Sequence, residues 1–132
     1  METSMENDNI VEKKPSEILA GAIQLLDGGD AWIKDEITDG HGRYCLLGAV
    51  SRSYYGETEF DRLWCEDPIK RLYPRDSNVP ALQHVNDLIR QATGGEEGFE
   101  VNDHEDTEFP DVHAVLCKAT KLALEEEEKD AS

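Results

Sequence analysis

Apolar residues recur at helical spacing in four stretches of this chain, and the glycines and prolines between them mark where each helix stops. The first runs from about Ser16 to Asp27. Ser16 reads as its N-cap, Glu17 suits the positive helix end, and Ile18, Leu19, Ala22, Ile23, Leu25 and Leu26 largely share a face before Gly28-Gly29. The second, about Tyr44 to Tyr55, opens with Cys45-Leu46-Leu47-Gly48-Ala49-Val50, apolar on every side, which predicts a helix buried all round at the centre of the core. Gly48 costs roughly 1 kcal/mol relative to alanine inside a helix, so another backbone is expected to pass close to it. A third helix starts near Val79-Pro80 and runs to about Ala92 with Ala81, Leu82, Val85, Leu88 and Ile89 inward. In the last, capped by Thr107 and with Pro110 in its first turn, Phe109, Val112, Val115, Leu116, Ala119, Leu122 and Ala123 repeat at helical spacing.

Between these stretches the pattern is weaker. Ala31 to Arg43 loses the helical period and reads as a short strand or coil, ending in the turn Asp39-Gly40-His41-Gly42, where two glycines permit positive φ. Glu57 to Cys65 and Asp67 to Leu72 each read as a short helix. Glu96 to Asp111 holds eight acidic residues and no Lys or Arg, which makes it a strongly solvated loop, the most electronegative patch, or both. The fold class that emerges is mainly α: a single small domain of about four main helices with short extra helices or a minor extended segment. A mobile arm is expected over residues 1–14, the helical domain over 15–124, and an acidic C-terminal tail over 125–132, where Glu125-Glu126-Glu127-Glu128 should fray.

Charge narrows the function. With 30 acidic against 13 basic residues the formal net charge is −17, which repels nucleic acid and anionic lipid and favours a basic protein partner. Three widely spaced cysteines build no disulfide framework, and neither a signal peptide nor a membrane span is legible, so a reducing cytoplasm is the expected compartment.

Gly42-Arg43-Tyr44-Cys45-Leu46-Leu47-Gly48-Ala49, followed later by Val101-Asn102-Asp103 with Thr107, Phe109 and Val112, resembles an uncharacterised family of small actinobacterial and bacteriophage proteins. That family has a Gly-x-aromatic-Cys-x-Leu-Gly-Ala segment and a Trp-Asn-Asp segment before its last helix, and Val101 stands here where it has tryptophan. The resemblance brings no activity with it. It implies a phage or mobile-element accessory protein in a bacterial or phage-infected cell.

Cys45 is the sharpest chemical candidate, since a helix N-terminus favours a thiolate, with His41 or His84 as base and Asn102 or Asp103 as its orienting group, the triad Cys45, His41 and Asp103 being the set expected of an enzyme. Against this stands the ordinary reading of cysteine as a small buried apolar residue. Tyr44, Cys45, Asn102, Asp103, Glu105, Asp106 and Glu108 are the candidate binding residues, and Asn102-Asp103 also reads as a turn bonding backbone near the start of the last helix. His41/Cys45 and His113/Cys117 share a His-x3-Cys spacing, but they are not Cys-x-x-Cys knuckles, and no metal or cofactor is expected. The leading expectation is a non-catalytic protein that binds a basic partner, a DNA mimic or inhibitor being one form. The alternative is a Cys45-dependent hydrolase or transferase, or a small-ligand protein with its pocket near Asn102 and Asp103.

Overall fold

Helix α1 (Pro15–Leu25) begins with proline at its first position, where the missing N–H costs nothing, and Lys14 N–H donates to Glu17 Oε1 at 2.9 Å across the first turn. Ser16 is therefore inside the helix and is not its cap. Its N–H and Oγ–H both donate to the Glu127 carboxylate, at 3.1 and 2.7 Å, so the last helix supplies the negative charge that the start of α1 attracts. A 3₁₀ turn, Asp27–Gly29, closes α1 with Gly28 at φ 65°.

The computed structural model describes residues 13–66, 74, 77 and 79–131. Among them five more helices follow: α2 (Leu46–Tyr55), α3 (Glu57–Glu66), α4 (Pro80–Ala92), α5 (Gly98–Asp103) and α6 (Phe109–Ala131). No strand is present among the described residues, so the domain is all-α. The segment before α2 is coil, tied by isolated bridges of Tyr44 to Trp32 and to Thr38. Most of the expected arm and the expected helix from Asp67 to Leu72 lie outside the described residues.

The core is one cluster. Ile18, Leu19, Ala22 and Leu26 of the α1 region face Leu46, Leu47, Ala49 and Val50 of α2, Leu82, Val85, Leu88 and Ile89 of α4, and Val112, Leu116, Ala119 and Ala123 of α6. Each fully buried leucine or isoleucine contributes about 1.5–3 kcal/mol of transfer free energy, and α1 takes part on three sides, packing on α2, α4 and α6. The centre is thus shared by α1 and α2. Ile23 and Leu25, expected inward, are only partly buried at its edge.

Three boundaries differ from expectation. Helix α2 starts at Leu46, because Cys45 has extended backbone and serves as the N-cap. Helix α6 starts at Phe109: Glu108 N–H donates to Asp111 Oδ2 at 2.9 Å, so the cap falls one residue after Thr107. The glutamate run 125–128 is helical. Helix α6 continues to Ala131, held by Glu127 on Ser16 and by Glu126 Oε1 at 2.6 Å from His84 Nε2. Two carboxylates of the run thus dock on α1 and α4.

Candidate functional site

The turn ahead of α2 is organised by Asp39, whose Oδ1 accepts from His41 N–H at 2.8 Å and Arg43 N–H at 3.3 Å while Oδ2 pairs with Arg43 Nε at 2.5 Å. The His41 N–H bond chiefly, with Arg43 adding to it, holds the Asp39 carboxyl below the usual carboxylate range. Gly40 and Gly42 take φ of 79° and 86°, which L side chains rarely adopt. The chain then doubles back so that Tyr44 N–H donates to Ala31 O and Cys45 N–H to Ile37 O. That return lays the Ile37 carbonyl against Gly48: a Cβ at Gly48 would stand 1.9 Å from this oxygen. The backbone expected to pass close to Gly48 is the loop that precedes the helix.

Cys45 caps α2 through sulfur, its Sγ accepting from Gly48 N–H at 3.3 Å. Only 4% of the residue is exposed. Burial pushes the thiol up to about 12, against the smaller pull of the Gly48 and Leu47 amides. At neutral pH such a thiol stays protonated. Where a helix N-terminus in contact with water favours a thiolate, this one keeps its sulfur sealed and protonated. His41 is exposed on the turn, and among the described residues no hydrogen bond joins its imidazole to Cys45.

Asn102 is the other half of the cluster and is fully buried. Its Oδ1 accepts from Trp32 Nε1–H at 2.6 Å and from Leu46 N–H at 3.0 Å, while its Nδ2 donates to Ile33 O at 3.1 Å and to Asp103 Oδ1 at 2.8 Å. Asp103 Oδ1 also accepts from Asp35 N–H at 2.8 Å. The pair therefore binds the 32–35 loop and the first turn of α2, where the sequence had suggested the start of the last helix. Of the sequence candidates, Cys45, Asn102 and Asp103 come together here. Tyr44 is half-buried with its ring edge-on to Phe60 at 5.6 Å, and Glu105, Asp106 and Glu108 lie outside on the surface. Trp32 was missed as a partner; an indole N–H in a half-buried position needs an acceptor, and that requirement was the available signal.

His113 and Cys117 do share one helix face, with Sγ 3.7 Å from both ring nitrogens, but they are exposed on α6. His41 and Cys45 belong to a turn. Among the described residues no group of three or more His, Cys, Asp or Glu side chains is placed to hold a metal ion.

Outside the knot the surface is acidic. Trp32 stacks at a tilt on Phe109 at 6.0 Å and Gly29 abuts the same ring, so residues 27–36 lie beside residues 103–111. Asp27, Asp30, Asp35, Glu36, Glu105, Asp106, Glu108 and Asp111 are all exposed there, and none forms an ion pair with a described residue. Lys34 is the one lysine or arginine within the two segments. Its Nζ donates to the His104 carbonyl at 2.8 Å and stands 5.7 Å from the Trp32 ring centroid.

Fold and cluster define a small all-α domain in which the buried Asn102 of α5 ties the loop at residues 32–33 to the start of α2. A family profile matches residues 11–122, and the chain belongs to that family, a family of unknown function (DUF6197). No curated protein and no solved structure matches the chain. No helix among the described residues is long and apolar enough to cross a membrane.

Proposed function

We propose that this protein is a small acidic accessory protein of the cytoplasm, of phage or mobile-element type, which binds a basic protein partner without catalysis. The phage setting rests on the motif resemblance alone. The binding surface is the carboxylate face made by segments 27–36 and 103–111. One observation carries this reading: eight exposed carboxylates gather on two adjoining segments with Lys34 the one lysine or arginine among them and no ion pair to a described residue. A face of unneutralised charge is tolerated in the free protein at some cost in self-repulsion and favours a partner of opposite sign. Three free cysteines support a reducing compartment. A hydrolase built on Cys45 gains no support from a sealed, protonated thiol.

The test is retention of proteins from a bacterial lysate on the immobilised full-length chain, compared with a variant carrying Asp30→Asn, Glu105→Gln, Asp106→Asn and Glu108→Gln. The expected result is a basic protein that is released as salt rises and is not retained by the variant. Retention indifferent both to salt and to the four substitutions contradicts the proposal.

A further inference from the structure

An open groove of about 450 Å³ lies between α1 and α2, lined chiefly by Lys13, Glu17, Gly21, Gln24, Arg52 and Ser53. It lies where the two helices approach closely, and Gly21 makes that approach possible, since a Cβ there would meet Ser53 Oγ at 2.3 Å. The charge in this groove runs against that of the chain. Two cations face one carboxylate, in a protein with 13 basic and 30 acidic residues.

The state of each charge matters more than the count. Glu17 directs Oε1 to the Lys14 N–H, so part of its acceptor capacity is used in the first turn of α1. Lys13 Nζ donates to the Ser53 carbonyl at 2.5 Å, which fixes the ammonium at the rim with further N–H donors to spare. Arg52 differs from the other described arginines. Arg43, Arg62 and Arg90 each pair with a carboxylate, while Arg52 has no ion pair with a described residue, and its buried Nε has no hydrogen-bond partner. On so acidic a chain, leaving a half-buried guanidinium without a carboxylate forgoes a readily available partner.

We propose that this groove binds a small oxyanion, a carboxylate or a phosphate, held by the Arg52 guanidinium and the Lys13 ammonium. A guanidinium presents paired donors that match two oxygens of one such group, the ammonium supplies a second positive charge, and the Gln24 amide and Ser53 hydroxyl add neutral donors. The volume is within the range of small-molecule sites.

The experiment is an NMR titration of the ¹⁵N-labelled full-length protein with inorganic phosphate and, separately, with succinate. The signals followed are the Arg52 Nε–H and the Gly21 and Ser53 amides. The proposal predicts saturable shifts confined to the groove with at least one of the two probes, and the tighter probe distinguishes phosphate from carboxylate. Arg52→Gln should weaken binding by about tenfold or more, the loss expected of a charge-assisted hydrogen bond. Lys13→Gln removes an exposed rim charge, so it tests the site even if the Arg52 variant fails to fold, and it should weaken binding several-fold. Arg43→Gln, on the turn ahead of α2, should leave it unchanged. Shifts that do not saturate with either probe, or binding that Lys13→Gln leaves intact, overturn the proposal.

Discussion

At Asn102 four hydrogen bonds converge on one carboxamide fully shielded from solvent, and they join three parts of the chain: the adjacent Trp32 and Ile33, Leu46, and the neighbouring Asp103. Such a group is expensive to disturb, because every partner it releases is left without water to replace it. Asn102→Ala should destabilise the protein by about 2–4 kcal/mol in urea unfolding, as the Trp32 and Leu46 N–H groups lose their acceptor. Asn102→Asp keeps both acceptors but cannot donate to Ile33 O and sets a second carboxylate beside Asp103. It should therefore behave like the alanine variant; an aspartate variant as stable as wild type would mean that the amide hydrogens contribute nothing. This role was only half legible. The sequence marks Asn102-Asp103 as polar residues in a turn-rich segment, but their partners lie 56 to 70 residues away, and no local pattern carries that information.

Among the elements, the long periodic helices were legible because their buried faces repeat over several turns. Val112, Leu116, Ala119 and Ala123 on α6, and Leu82, Val85, Leu88 and Ile89 on α4, are the positions the pattern selects. Helix α5 was not legible. Six residues give no period, and it is held by Asn102 and by a first turn in which Glu97 N–H donates to Glu100 Oε1 at 3.0 Å. Gly48 could be read correctly because glycine inside an apolar helix calls for an explanation, and the Ile37 carbonyl supplies it. Gly48→Ala should gain about 1 kcal/mol of helix propensity and lose more to a clash with backbone that cannot turn aside, for a net loss of at least about 2 kcal/mol. A thermal melt showing the alanine variant more stable than wild type would mean that the loop before α2 is free to move away.

Over the whole molecule, acidic side chains serve two distinct ends. Most of the charge of −17 is solvated, but Glu127 closes the fold by bonding the start of α1 from the far end of the chain. Composition identifies the glutamate run and cannot separate these uses, since the distinction depends on which glutamate meets an unsatisfied helix N–H. Glu127→Ala should cost about 1–2 kcal/mol of stability, and Glu127→Gln less, because the amide oxygen still accepts. Equal losses for the two would assign the whole effect to charge. The carboxylates of segments 27–36 and 103–111 have no such structural duty beyond Asp103 and the helix-start bond of Asp111, so neutralising Asp30, Glu105, Asp106 and Glu108 should spare stability while abolishing partner binding.

The account turns on Cys45 and Asn102 being a sealed structural knot, with the working surface elsewhere. The most direct test is the rate of thiol labelling at neutral pH in the native full-length protein, resolved by peptide mass spectrometry. Cys65 and Cys117 are exposed and should react at the rate of unfolded cysteine controls, while Cys45 should react more slowly by a factor on the order of 10³ or more, only as the fold opens. Labelling of Cys45 as fast as an unfolded control, or faster, would contradict the account and restore the thiol as a reactive group.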